Sequence, residues 1–204
     1  MLVPFIDIES TGLYETKDWL LEVGVVVVDM PSGEEIAAFE TGIYYPTDML
    51  LAKRLEVGRK TDDPKEFSVQ GMHDRSGLWT YLQDRSNTID RSELTSWLCK
   101  IAELWLPCKA YERPSLSNFN APFDWRWLHE YAPGFVQDCL HYRVFDLSTL
   151  RAANDMVYPK GFGPQKGEEK HRAVDDARAA VDYWKWYRAH VMTPYGRPAQ
   201  SAPF

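Results

Sequence analysis

Residues 2–8 (LVPFIDI) and residues 21–28 (LEVGVVVV) decide the fold, because both are short apolar segments and the second is rich in β-branched side chains. Such runs are typical of buried strands and are far shorter than the roughly 20 apolar residues of a membrane-spanning helix. Pro31-Ser32-Gly33 is a strong turn signal after the second segment. The sequence therefore predicts an antiparallel meander of three neighbouring strands, at Leu2–Ile8, Leu20–Met30 and Glu35–Tyr45.

Helical and strand patterns alternate along the rest of the chain. We predict helices at Ser92–Trp105, Pro122–Tyr131, Ser148–Asp155 and Val174–Val191, and strands at Pro114–Asn118 and Val144–Leu147. This order resembles that of the ribonuclease H-like fold, an α/β fold with a mixed five-stranded sheet flanked by helices. We expect one domain over residues 1–192 and a proline-rich tail over residues 193–204.

Charge and cysteine usage limit the classes of function. The formal net charge of −7 disfavours a protein that coats long DNA or RNA, because such proteins gain affinity by neutralising phosphates. It remains compatible with an enzyme whose carboxylates hold divalent cations, since bound metal reverses the local sign. Cys99, Cys108 and Cys139 have neither metal-binding nor disulfide spacing, and the first residues lack the basic region of a signal peptide. We therefore expect a cytoplasmic protein that does not associate with membranes.

Five residues in three segments carry groups suited to metal-dependent catalysis. Asp7 and Glu9 are two apart in a predicted strand, so both project from one face, and hard cations such as Mg²⁺ prefer oxygen ligands. Asp124 lies in the first turn of a predicted helix, where an acid also complements the helix dipole. His171 and Asp176 flank the start of the last helix. Taken singly, each has an ordinary explanation as a solvated strand residue, a first-turn acid or a loop histidine.

The combination of these segments is more specific than any of them. Asp-x-Glu on the first strand, Asn-x-x-Phe-Asp at 120–124 and His-x-x-x-x-Asp at 171–176 occur in an order that resembles the DEDDh exonucleases of the ribonuclease H-like superfamily. Four segments are similar, again in order, to segments of oligoribonucleases: DIESTGL at 7–13, MHDRSGL at 72–78, HYRVFDLSTL at 141–150 and HRAVDDA at 171–177. The resemblance extends from residue 1 to about residue 190.

The resemblance implies a 3′→5′ exonuclease that hydrolyses the terminal phosphodiester bonds of short or single-stranded RNA and releases nucleoside 5′-monophosphates. It implies two divalent cations, Mg²⁺ or Mn²⁺, held by Asp7, Glu9, Asp124 and Asp176, with Asp7 bridging both ions. His171 is implied as the general base that accepts a proton from the attacking water, a role that suits an imidazole near neutral pH.

The resemblance also implies a set of substrate-binding residues and a homodimer. Leu13 corresponds to a leucine that wedges between the last two bases, and His73 and Ser76 match residues around a bound dinucleotide. Tyr142 and Arg143 match a pair that reaches over from the second subunit to the 5′ phosphate, although an ordinary pair at a strand edge is the alternative. The complete implied set is Thr11, Leu13, His73, Ser76, Asn120, Tyr142 and Arg143.

Two departures from the oligoribonuclease pattern leave the substrate open. A tryptophan expected shortly before the MH-x-x-SGL segment is missing, since residues 67–69 read FSV. The NAPFD segment at 120–124 is closer to general exonucleases, and Asn120 within it suits either helix capping or substrate orientation. Single-stranded DNA is therefore an alternative substrate, and a signalling nucleotide would be cleaved by the same chemistry. A non-catalytic nucleic-acid-binding module is a further alternative, which would be expected to lack one of the metal ligands.

Overall fold

A six-stranded mixed sheet forms the centre of the protein, and the computed structural model describes residues 1–30, 32–58, 69–158, 163–164 and 170–192. The strands are β1 (Leu2–Ser10), β2 (Leu20–Asp29), β3 (Glu34–Ile43), β4 (Thr88–Ile89), β5 (Leu116–Asn118) and β6 (Val144–Asp146), in the spatial order β4-β3-β2-β1-β5-β6. The predicted meander is confirmed, because β2 pairs antiparallel with both β1 and β3. The remaining pairings are parallel.

The predicted count of five strands was wrong by one. The additional strand, β4, pairs in parallel with the end of β3 and is only two residues long. A segment of that length is too short for the alternation of apolar and polar residues by which strands are recognised in a sequence.

Helices flank the sheet on both sides. The α-helices of the described residues are α1 (Thr47–Gly58), α2 (Val69–Ser76), α3 (Leu78–Tyr81), α4 (Leu94–Ala102), α5 (Ala121–Tyr131), α6 (Pro133–Cys139), α7 (Leu147–Val157) and α8 (Ala173–His190). Four of them match the predicted helices to within a few residues, and α6 was not predicted. Among the described residues, no helix has both the length and the apolar composition that crossing a bilayer requires. The predicted tail over 193–204 lies outside the described residues.

The alternation of side chains along β1 assigns its residues to two different cores. Ile6 and Ile8 belong to a core built with residues of α4, α5 and α6, whereas Val3 and Phe5 belong to a core built with α7 and α8. Because side chains alternate with a period of two residues, the acidic residues at positions 7 and 9 share the face of β1 that α8 covers. The pattern of β1 thus directs two carboxylates towards the start of α8.

A buried ion pair fixes the start of α8 against β2. The carboxylate of Glu22, whose side chain is fully buried, accepts hydrogen bonds from the Arg172 guanidinium at 3.0 and 2.8 Å. It also accepts a hydrogen bond of 2.9 Å from the backbone N–H of Ala173, the first residue of α8. At Gly24 the helix approaches β2 so closely that an added Cβ atom would lie 2.3 Å from the backbone nitrogen of Val174. We call the group of Glu22, Arg172 and Ala173 the α8 clamp.

Replacing Glu22 with alanine should lower the free energy of unfolding by about 3–5 kcal/mol, the usual cost of removing one partner of a buried ion pair. The Arg172 guanidinium would lose its main partner, and the N–H group of Ala173 would lose its acceptor. Urea denaturation monitored by circular dichroism would measure the difference.

The exposed ion pair between Arg178 and Glu35 provides a matched control, because it also joins α8 to the sheet, at 2.9 Å. Arg178→Ala should cost less than about 1 kcal/mol, as is usual for a pair in contact with solvent. Equal losses in the two variants would show that the α8 clamp is no stronger than a surface ion pair.

Candidate active site

Acidic side chains converge where β1 ends and α8 begins. Glu9, His171 and Asp176 each present one possible ligand atom, and these three atoms lie within 4.8 Å of one another. Asp7 and Asp124 line the same cleft as Glu9 and Asp176. The structure therefore brings together the five residues that the sequence analysis selected for catalysis.

Asn118 joins two of these acids and was not selected in the sequence analysis. Its side-chain amide donates hydrogen bonds to Asp7 Oδ1 at 2.7 Å and to Asp124 Oδ2 at 3.2 Å, and the residue is almost completely buried. Asn118 ends β5, which runs parallel to β1, so its side chain lies at the same edge of the sheet as the acids. The predicted strand boundary at this residue was the available signal, since polar groups at the carboxyl ends of neighbouring parallel strands meet.

The proximity of the acids makes their simultaneous ionisation unfavourable. Burial raises the pKa of Glu9 well above its usual range, and the charges of Asp7 and Asp176 raise it further. Burial also raises the pKa of Asp124 well above its usual range, Asp7 adds to this effect, and the hydrogen bond from Asn118 opposes it. Bound cations would relieve this repulsion, and a set of four carboxylates with one imidazole suits hard divalent metals. The donor chemistry of the cleft therefore fits the implied cofactor.

His171 and Asn120 both adopt backbone conformations that are uncommon for residues other than glycine. Their φ angles are 52° and 56°, in the left-handed region. His171 directly precedes Arg172, so the α8 clamp holds it at the start of the helix. Asn120 occupies the N-cap position of α5, but its side chain makes no capping hydrogen bond, and its backbone N–H donates to Ser148 Oγ at 2.8 Å. Strained residues of this kind often occur at functional sites.

Two residues predicted to bind substrate lie beneath the site instead of opening into the cleft. His73 is fully buried, and its Nε2 lies 3.0 Å from the carbonyl oxygen of Ser10, which requires a proton on that nitrogen. Its Nδ1 lies 3.7 Å from Glu9 Oε2, and burial lowers the pKa of this imidazole to about 4. Thr11 is buried as well, and its hydroxyl accepts a hydrogen bond of 2.8 Å from the backbone of Trp19. In this conformation, both residues support the segment around Glu9.

Of the other predicted substrate-binding residues, Asn120 lines the cleft, whereas Leu13, Ser76, Tyr142 and Arg143 are not among its lining residues. Leu13 is 68% exposed and Tyr142 is 71% exposed. The guanidinium of Arg143 lies 5.1 Å from the centre of the Tyr142 ring. Ser76 is half-buried and donates a hydrogen bond of 3.2 Å to the carbonyl oxygen of His73. These four residues therefore do not contribute to the described lining of the acidic cleft in their own chain.

The cleft itself extends well beyond the acidic cluster. Its volume is about 860 Å³, near the upper end of the usual range for ligand pockets. Helices α7 and α8 form its far wall, and aromatic side chains from the turn between β5 and α5, from α5 and from α8 contribute to the lining. The wall includes Arg151 and Trp186, which the sequence analysis did not select because nothing in the local sequence distinguishes them from surface residues.

Comparisons with known proteins identify oligoribonucleases as similar to this chain along nearly its whole length. No protein-family model matches the chain. The chain is 28% identical to the oligoribonuclease of Ectopseudomonas mendocina, in an alignment that covers 92% of this chain and 94% of that protein. It is also 28% identical to an oligoribonuclease of Haemophilus influenzae, with 92% and 93% of the two chains covered. The oligoribonuclease of Baumannia cicadellinicola is 26% identical, with 92% of each chain covered.

Solved structures with a similar fold include Escherichia coli exonuclease I. Its metal-free complex with single-stranded DNA superposes with a TM-score of 0.57 and 15% sequence identity over 93% of this chain. The zinc-bound form of that complex gives a TM-score of 0.56 and 16% identity. The protein studied here spans only about 40% of the exonuclease I chain, whereas it spans nearly the whole length of the oligoribonucleases. The chain is therefore similar to the oligoribonucleases over nearly their whole length, and it has the ribonuclease H-like fold that exonuclease I also has.

Proposed function

We propose that the protein is a metal-dependent 3′→5′ exonuclease that removes nucleoside 5′-monophosphates from the ends of short or single-stranded RNA. The observation that carries this proposal is the convergence of Asp7, Glu9, Asp124 and Asp176 in one cleft, with His171 close to Glu9 and Asp176. The oligoribonuclease names of the relatives support the substrate class and the cleavage of phosphodiester bonds. The three cysteines are all free, which agrees with a location in the reducing cytoplasm.

Asp7, Glu9, Asp124 and Asp176 would hold two Mg²⁺ or Mn²⁺ ions. Cations of this kind, when bound, make water more acidic and neutralise charge on the scissile phosphate. Two of the carboxylates, those of Asp7 and Asp124, accept hydrogen bonds from the side-chain amide of Asn118, which is neutral and cannot ionise. This support fixes one carboxylate oxygen of Asp7 and one of Asp124, although burial opposes the ionisation of Asp124.

His171 would accept the proton of the water that attacks the terminal phosphodiester. The imidazole is half-buried and presents a nitrogen close to the carboxylates of Glu9 and Asp176. Its placement depends on the α8 clamp that begins at the next residue. Asn120, whose side chain does not cap its helix, would help to orient the terminal nucleotide, since it lines the same cleft.

Single-stranded DNA is the second candidate substrate. The structures of exonuclease I that share this fold include complexes with single-stranded DNA, which is a property of that protein. In the cleft described here, we identify no side chain placed to distinguish a ribose 2′-hydroxyl from a deoxyribose. The non-catalytic binding module has less support, because the complete set of acids is retained and clustered.

Cleavage assays with the wild-type protein and an His171→Ala variant should identify the activity. With Mg²⁺ or Mn²⁺, the wild-type protein should shorten 5′-labelled RNA, from dinucleotides to 20-mers, one residue at a time from the 3′ end. His171→Ala should reduce the rate by about 10²–10⁴-fold, the usual contribution of a general base. Matched DNA oligonucleotides would measure the preference for the sugar.

Asp175→Asn is the control for these assays, because Asp175 neighbours the site but pairs with Lys170, at 3.4 Å. This variant should retain nearly full activity. If the wild-type protein cleaves no substrate in the presence of metal, the enzymatic proposal is wrong and the binding-module alternative gains support.

Metal binding should stabilise the protein more strongly at pH 7.5 than at pH 5. The pKa values of Glu9 and Asp124 are raised in the folded state. At pH values between the ordinary pKa and the raised pKa, the folded state therefore binds more protons than the unfolded chain. The stability that these groups contribute to the metal-free protein is therefore lost as pH rises. Added Mg²⁺ should reverse this loss at pH 7.5, where protons no longer compete for the carboxylates. Thermal melting at both pH values, with and without Mg²⁺, would measure the effect.

Asp124→Asn should reduce the Mg²⁺-dependent increase in melting temperature, and Asp175→Asn should leave it unchanged. An equal Mg²⁺ effect in the wild-type protein and in Asp124→Asn would indicate that the cation binds elsewhere.

We further propose that two copies of the chain form a homodimer in which Tyr142 and Arg143 of one subunit contact substrate bound to the other. Both residues are exposed, neither lines the described cleft of its own chain, and their segment is similar to the oligoribonuclease motif, which together support this arrangement. Asp124→Asn and Arg143→Ala should each be inactive on short RNA when assayed alone. Mixing the two variants should restore activity, because in a mixed dimer an intact Arg143 would serve the subunit that retains Asp124. A monomer in analytical ultracentrifugation, or a mixture without activity, would contradict the proposal.

A further inference from the structure

We propose that the α8 wall of the cleft is a stacking subsite for a nucleotide beyond the last two of the substrate, with Trp186 as its platform. This inference rests on the proposed function, because it assumes that the 3′ end of a nucleic acid lies at the acidic cluster. It adds a binding site that neither the sequence motifs nor the acidic residues define.

One stripe of α8 lines the cleft along three helical turns. Asp176, Ala179, Tyr183 and Trp186 all contribute to the lining, at spacings of three or four residues, which place side chains on one side of a helix. The ten steps from Asp176 to Trp186 correspond to about 15 Å along the helix axis. This length is about four times the rise of roughly 3.4 Å between stacked nucleotides. The cleft is therefore longer than a dinucleotide bound at the acidic cluster requires.

Trp186 lines this wall without belonging to a hydrophobic core of the described residues. The neighbouring residues Tyr183 and Trp184 are buried in the core between α8 and the sheet, so they hold the helix in place. Trp186 is half-buried, and its ring stacks on His190 with the ring centres 4.6 Å apart and the planes 13° from parallel. A tryptophan with its ring held in one orientation at the wall of a cleft is the kind of platform on which single-stranded nucleic acids stack their bases.

The charges of the wall favour stacking over attraction to phosphates. Arg151 lines the wall from α7, but Asp155 and Asp182 line it as well. One cation between two acids provides little net attraction for a phosphate backbone, and the whole chain carries a net charge of −7. Binding at this subsite should therefore depend only weakly on salt, because few counterions would be released.

Binding measurements with oligonucleotides of different lengths test the proposal. Labelled RNA and DNA of two and five nucleotides would be titrated with the Asp124→Asn protein, which should not cleave them, and binding would be followed by fluorescence anisotropy. Introducing the Trp186→Ala substitution into this protein should raise the Kd for pentanucleotides by about tenfold or more, as expected for the loss of one stacked base. The Kd for dinucleotides should stay unchanged, and Trp186→Phe should restore most of the affinity for pentanucleotides.

Tyr111→Ala is the matched control, since Tyr111 is a 70% exposed aromatic residue that does not line the described cleft. It should leave both Kd values unchanged, and the effect of Trp186→Ala should be similar at low and high salt. Unchanged binding of pentanucleotides, or an equal loss for dinucleotides and pentanucleotides, would overturn the proposal. Because no cleavage is needed, length-dependent binding through Trp186 would still be detected if the catalytic proposal failed.

Discussion

The buried carboxylate of Glu22 is the constraint on which the arrangement of the site depends. It lies opposite Glu9 in the β1–β2 pairing, and it is stabilised in the interior by Arg172 and by the first N–H group of α8. A buried carboxylate that lacked these partners would be strongly destabilising, so the folded chain must begin α8 at this point on β2. This placement brings His171 and Asp176 next to Glu9, although they are more than 160 residues away in the sequence.

The site is electrostatically incomplete without cations. The hydrogen bonds of Asn118 satisfy oxygens of Asp7 and Asp124 but cannot balance the charges of four neighbouring carboxylates. Burial therefore shifts Glu9 and Asp124 towards their protonated forms, in which they are poor metal ligands. Binding of metal would consequently be linked to the release of protons. The long β1–β2 pairing and the α8 clamp explain how the fold tolerates this unfavourable cluster, because their hydrogen bonds hold together the elements that carry Glu9 and Asp176.

The sequence predicted those features that depend on local periodicity or on combined motifs. The meander, the helices that carry Asp124 and Asp176, and the convergence of the acids all follow from such signals. Features that depend on tertiary contacts were not predictable. The DIESTGL and MHDRSGL motifs cannot reveal that Thr11 and His73 are buried, since this depends on contacts with Trp19 and Ser10. Asn118 was overlooked for a related reason, because its importance arises from the parallel neighbour of its strand and not from its own segment.

Under the proposed function, the acidic character of the protein and the shape of its cleft would together determine how substrate is selected. A nuclease that held long strands by their phosphates would need many cations along the cleft, whereas the described lining contains Arg151 beside several acids. Cations bound by the carboxylates would instead concentrate the attraction for phosphate at the site of cleavage. The α8 wall would then bind the remaining nucleotides, because Trp186 and the other aromatic side chains can contact bases of any sequence. This division of recognition between the cations and the wall would favour short single strands, because the bases of a duplex are stacked on one another and cannot contact the wall.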